Sequence, residues 1–241
     1  MVSQGMSPRR GRENAAPAHP AAGVAANPQR SCIMTSPMPL APPEATLHAA
    51  RANTYRLLAD GFRSPLELNP AALRELPRQL GACWSEGVAS AEALLTAVPE
   101  GDAAWEPLRV AHAALFVGPF HLLAPPYGSV YLDVAGEVMG DSTLAALEHY
   151  VAAGLDVDSA QHEPPDHIAT ELEFMYYLAF QHVTTGEAAY LERQRAFLSQ
   201  HLARWLPLLA ERIQAAAQHP FYTALGELTH AFVREDRARV T

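Results

Sequence analysis

Two histidines and two acids flank a proline pair at His162-Glu163-Pro164-Pro165-Asp166-His167, and Glu171 follows His167 at i+4, the spacing that sets two side chains on one helical face. Carboxylate and imidazole at that spacing are donors for a hard or borderline metal ion, so Asp166, His167, Glu171 and His162 make one candidate centre, that of a metal-dependent helical enzyme. No H-E-x-x-H accompanies them. A second reading is purely structural: Asp166 caps a helix, His167 packs on a neighbouring one, and Glu171 and Glu173 lie at the surface of the first turns, in the helix dipole. A third makes the cluster a recognition patch, in which Pro-Pro stiffens the approach and His167, Glu171 and Glu173 offer acceptors or negative charge to a cationic peptide.

Other chemistries are excluded by what the chain lacks. All 17 basic residues are arginine. Without lysine there is neither a P-loop nor a Schiff base, and G-x-G-x-x-G is absent, so no cofactor or nucleotide site is assigned. No G-x-S-x-G elbow supplies a nucleophile, and no catalytic residue is named. Cys32 and Cys83 have neither C-x-x-C spacing nor a nearby His pair, which fits free thiols in a reducing compartment.

The elements that would position the cluster are helices. Leu47, Ala50, Tyr55, Leu58 and Phe62 keep a spacing of three to four residues until Ser64-Pro65 stops it. Asn69-Pro70 starts a second, short helix, and a third covers about Val88 to Val98. A fourth, from Trp105 to Val117, carries Leu108, Ala111, His112, Leu115 and Phe116 on one stripe and ends at Gly118-Pro119. From Gly118 to Gly140 the prolines forbid a regular helix, and a long, ordered loop is expected, the kind that tends to be functional. The fifth helix, capped by Asp141 or Ser142, shows Leu144, Leu147, Tyr150 and Val151. The sixth has Asp166 as N-cap and Ile168, Leu172, Met175, Ala179 and Val183 as its core stripe, ending before Gly186. The seventh runs from Glu187 to about Gln218 with a kink at Pro207, and the last sets Phe221, Leu225, Leu228 and Phe232 on one seam. The fold class is therefore all-α, a single-domain helical bundle, with no stretch long and apolar enough for stable membrane insertion.

Of the net charge of −9, Arg9, Arg10, Arg12 and Arg30 against Glu13 make the first 33 residues +3, leaving −12 for residues 34–241. An acidic body disfavours nucleic acid and concentrates cationic ligands. Residues 1–46, rich in Ala and Pro, read as a disordered leader, residues 47–235 as the helical domain and 236–241 as a flexible tail. Ser7-Pro8-Arg9-Arg10 is not followed by the apolar run of a signal peptide, so export is not expected, and Met34 is an alternative start.

Three ordered motifs, Leu115-Phe116-Val117-Gly118-Pro119, Pro125-Pro126-Tyr127-Gly128-Ser129-Val130-Tyr131-Leu132-Asp133 and Glu163-Pro164-Pro165-Asp166-His167, are similar to the LF-x-GP, PPY-x-S-x-Y and E-P-x-DH elements of the TorD/DmsD family of redox-enzyme maturation chaperones. The likeness continues through Ala169 to Met175 and to Phe197, His201, Trp205 and Phe221-Tyr222, and spans about residues 47–233. It implies a TorD-like all-α domain, monomeric or a domain-swapped homodimer. Such a protein is a cytoplasmic binding protein, not an enzyme. It takes the twin-arginine signal peptide of a molybdenum-cofactor oxidoreductase and holds the apo-molybdoenzyme catalytic subunit for cofactor insertion before export. Carried over residue by residue, the peptide-binding surface would comprise Leu115, Phe116, Pro125, Pro126, Tyr127, Ser129, Asp166, His167 and Glu171. Two positions depart from the family: His112 replaces an aromatic, and Gly128 replaces the Glu of PPY-E-S, removing one acceptor for arginine.

Overall fold

Apolar residues three and four apart from Leu47 to Phe62 coil into a helix because one side of it can then leave water. In the computed structural model, which describes residues 43–118, 121–134, 136, 138–155 and 163–240, this helix, α1, runs Pro43–Phe62 and buries Tyr55, Leu58 and Phe62. It starts ahead of the expected boundary. The rest of the leader, Met34, Pro119 and His162 lie outside the described residues.

Asn69 caps α2 (Pro70–Leu73), its Oδ1 accepting from the N–H groups of Ala71 and Ala72 at 3.0 and 3.2 Å. α3 (Leu76–Cys83) was not anticipated; α4 (Val88–Thr96) was. α5 (Trp105–His112) runs on into a π-helical turn, Ala113–Val117. The stretch expected as a loop after Gly118 contains one helical turn, α6 (Ser129–Leu132).

α7 (Asp141–Ala152) departs from the reading in two ways. Its cap comes from Asp133, whose carboxylate accepts from Ser142 N at 3.2 Å and from the Ser142 hydroxyl. Its buried face is Thr143, Ala146 and Tyr150, while Leu144 and Val151 are 59% and 62% exposed. Tyr150 sets this rotation: its hydroxyl donates to Pro165 O at 2.7 Å and its ring lies 4.5 Å from that of Phe174.

α8 (Ile168–Thr185) closes at Gly186, whose φ of 72° is left-handed and whose N–H donates to His182 O. The single kinked helix expected from Glu187 to Gln218 is instead α9 (Ala188–Phe197), a π-helical turn (Leu198–Leu202) and α10 (Ala203–Ala216). Pro207 has no N–H to donate to Ala203 O, and the helix changes its winding just ahead of that weakness.

α11 (Pro220–Val240) buries Phe221, Leu225, Leu228 and Phe232 as the seam predicts and then keeps going. The expected flexible tail from 236 is therefore corrected: Asp236 is 1% exposed and pairs with Arg51, itself wholly buried. Arg51 Nη2 also donates to Gln194 Oε1, and the Tyr55 hydroxyl to Asp236 Oδ2, which fastens α1, α9 and α11 together. α1 lies along α8 in the most extensive helix pairing, α3 backs α1, and α10 packs on α11. The described residues are thus an all-helical core; their one β-type contact is an isolated bridge between Tyr127 and His167. No helix among them is long and apolar enough to cross a membrane.

Candidate functional site

The bridge joins two of the sequence motifs. Gly128 N donates to Asp166 O at 2.9 Å and Ile168 N to Pro126 O at 2.8 Å, so the Pro-Pro-Tyr segment and the entry to α8 are stitched back to back. Asp166 does not cap α8. Its Oδ2 accepts from Ser129 N at 2.8 Å, and it is completely buried. The N-cap is His167, whose Nδ1 accepts from Ala169 N at 3.2 Å. Two buried polar atoms of this joint, Asp166 Oδ1 and Ser129 Oγ, have no hydrogen-bond partner among the described residues.

One turn into α8, Glu171 is also fully buried, and its two oxygens are used separately. Oε1 pairs with His201 Nε2 at 2.6 Å, and Oε2 accepts from Trp205 Nε1 at 3.0 Å. Burial raises the Glu171 pKa, opposed by the charge and hydrogen bond of His201. Burial disfavours charged His201, but the carboxylate outweighs it and the net shift is upward. The π-helical turn before Pro207 carries His201 to this position. Trp205 stacks on Tyr131, 5.7 Å between ring centroids, with the Arg212 guanidinium 4.9 Å from the Tyr131 ring on α6. Gly128 leaves room for this packing: a Cβ there would stand 3.1 Å from Trp205 Nε1 and 3.4 Å from Glu171 Oε1. The acid that the family pattern places at this position would meet the indole and another carboxylate.

Towards solvent the joint ends in charged residues. His167 Nδ1 is an acceptor, so its proton sits on Nε2, which faces Glu163 Oε1 at 3.3 Å. Burial, with Arg63 and His112 nearby, pushes the His167 pKa down to about 3, and the ring is neutral. Tyr127 meets it edge-on at 5.4 Å. Arg63, after the last turn of α1, pairs with Glu173 at 2.5 Å. Burial raises the pKa of Glu163, as do the charges of Glu173 and Glu67, while Arg63 opposes them.

The structure therefore brings the predicted residues together but turns most of them inward. Leu115, Phe116, Pro125, Pro126, Ser129, Asp166, His167 and Glu171 are buried, and Tyr127 is half-buried. Glu171, expected as a surface carboxylate, is a core residue. The side chains available at the same place are Val117 and Leu123, beside Leu115, and Glu163 and Glu67. The metal alternative loses its ligand set, since Asp166, His167 and Glu171 each face a different partner, and no group of three or more such side chains among the described residues could hold an ion. Arg63 and the pairing of Glu171 with His201 went unread. A signal existed for the latter, because Glu171 stands three residues after Ile168 on the core stripe of α8.

Comparison with known proteins agrees with this set of motifs. A family model described as nitrate reductase delta subunit matches residues 82–211, more than half of the chain. The chain is 35% identical over 135 residues to the Tat proofreading chaperone DmsD of Salmonella typhi, covering 56% of this chain and 63% of that protein. With the chaperone protein TorD of Vibrio cholerae serotype O1 it shares 36% identity over 118 residues, 47% of this chain and 53% of the other. It thus spans less than two thirds of the length of either relative. A solved structure of a candidate redox enzyme maturation protein from Archaeoglobus fulgidus superposes with a TM-score of 0.49 at 22% identity, over 76% of this chain and 93% of that one.

Proposed function

The chain belongs to the nitrate reductase delta subunit family, and from that premise we propose that it is an assembly chaperone for a molybdenum-cofactor oxidoreductase. It acts in the cytoplasm by binding, not by catalysis. It takes the client's twin-arginine signal peptide and the apo form of its catalytic subunit, assists insertion of the cofactor into the client, and delays export until the client has folded. The relatives named Tat proofreading chaperone and chaperone protein support the reading.

The observation that carries it is the buried joint between the Pro-Pro-Tyr segment and the entry to α8. Asp166 Oδ2, His167 and Glu171 are each held by a partner inside the fold, as suits a scaffold that presents a surface. The test is binding of the full chain to the purified apo-oxidoreductase with and without its signal peptide. Tight binding is expected only with the peptide present, and it weakens when the two arginines of the peptide are changed to alanine. Equal binding to all three forms indicates a general helical adaptor and overturns the proposal.

A further inference from the structure

α10 and α11 carry charge that the buried joint does not use. Trp205 turns to Glu171, while Ala203, Leu206 and Pro207, spaced i, i+3 and i+4, line a groove of about 230 Å³ between α10 and α11. His230, Arg234 and Arg237, at i, i+4 and i+7 with Val233 among them, form the α11 wall. Leu206 and Val233 are each 1% exposed, so the floor is packed core and the charges stand above it. Gly226, one turn before His230, lets the two helices lie close: a Cβ there would stand 3.3 Å from Ile213 Cγ2. The positive charge of this wall is not offset by its own helix. The three acids of α11 are engaged elsewhere, Glu227 with Gln214, Glu235 with Arg239 and Asp236 with Arg51. Glu211, the acid of α10, lies beside Tyr131. Arg234 is exposed and meets no carboxylate among the described residues. His230 feels the same imbalance, since burial and Arg234 both push its pKa down and no acid opposes them. Pro207 adds an acceptor, because it has no N–H for the carbonyl of Ala203, a part-exposed residue of the groove.

We propose that this groove is a docking surface for a short acidic segment of a partner protein: Arg234, with Arg237 one turn on, takes its carboxylates, and Ala203 O takes a backbone N–H. Size, hydrogen-bonding pattern and charge select that occupant. The volume lies below the roughly 300 Å³ at which pockets for small-molecule ligands begin, so side chains fit and a cofactor-sized molecule does not. A cationic wall facing a backbone acceptor matches a peptide, which brings both carboxylate and N–H, whereas a bare anion brings acceptors only. The body of net charge −12 over residues 34–241 repels an extended polyanion such as nucleic acid or an anionic bilayer, and a short segment avoids most of that repulsion. The groove is distinct from the joint, and its ligand has the opposite charge to a twin-arginine peptide.

The experiment uses the full chain and two labelled synthetic peptides, one in which glutamates three and four apart flank leucines and one with glutamine in place of every glutamate, with binding followed by fluorescence anisotropy. Wild type should bind the glutamate peptide about tenfold or more tightly than the glutamine peptide. Arg234→Gln should remove most of that preference and Arg234→Glu all of it, while both variants melt as wild type does because the side chain is exposed. Arg74→Gln, which removes an exposed arginine at the end of α2, should leave the preference unchanged and so separates the groove from net charge. Equal affinity of wild type for the two peptides, or a preference that survives Arg234→Glu, overturns the proposal. So does co-sedimentation with phosphatidylglycerol vesicles that Arg234→Glu abolishes, an outcome that assigns the groove to a lipid surface.

Discussion

His167 shows how one residue can look like a chemical group and serve the fold. Its ring is 5% exposed, it caps α8 through Nδ1, and burial holds its pKa near 3, whereas an unfolded chain titrates near 6.5. The unfolded state therefore binds a proton below about pH 6.5 that the folded state refuses, so stability is complete above that pH and is lost as pH falls towards 3. The slope is about 1.4 kcal/mol per pH unit, or about 3 to 5 kcal/mol across the window. His112 and His149, both depressed by burial, add to the same trend, and His201, raised by Glu171, opposes it. His167→Asn keeps a capping acceptor and removes the titration. Urea unfolding between pH 4 and 7 should then give a distinctly flatter curve; an unchanged slope means that His167 is charged in the fold. The sequence placed this residue beside Asp166 and Glu171 but could not orient it. Periodicity assigns a residue to a stripe, whereas the cap, the bridge to Tyr127 and the partner His201 depend on segments far apart in the chain.

At the level of elements, legibility follows the same line. Helices with wide apolar stripes, α1, α8 and α11, were readable because one strong face leaves a single way to pack. α7 was not, since its outward leucines mimic a core face while Thr143, Ala146 and Tyr150 do the packing. The π-helical turn before Pro207 is also invisible to a pattern search tuned to ordinary helices. The joining of α1 to α11 was partly legible. Arg51 lies four residues before Tyr55, and Asp236 four after Phe232, so two opposite charges each extend an apolar stripe. Removing only one of two such charges strands the other in the core. Asp236→Ala is expected to cost about 3 to 5 kcal/mol in urea unfolding, and the double replacement Arg51→Met/Asp236→Leu less than the sum of its single changes. Additive losses would show that the two side chains do not act as a pair. Hydrogen exchange gives an independent check: amides near Asp236 should be as protected as those around Tyr55 in α1.

For the molecule as a whole, charge sets two responses to salt that run in opposite directions. The chain has 26 acidic residues against 17 arginines, and the segment from residue 34 onward carries −12. Like charges at this density repel one another in the folded state, and salt screens them over about 8 Å at physiological ionic strength. The buried pairs Arg51–Asp236 and Glu171–His201 are shielded from that screening. Between 0.05 and 0.5 M sodium chloride the melting temperature should therefore rise by a few degrees, on the order expected for about 1 kcal/mol. Over the same range, association with an Arg-Arg peptide should slow by about tenfold with dissociation little changed, because the field acts on the approach of the ligand. Stopped-flow fluorescence separates the two rates. An Ala-Ala peptide of otherwise equal sequence should associate at the same rate throughout, since it carries no pair of charges for the field to steer. A salt effect confined to dissociation would place the whole electrostatic contribution in the contacts of the bound complex and leave none to the acidic body.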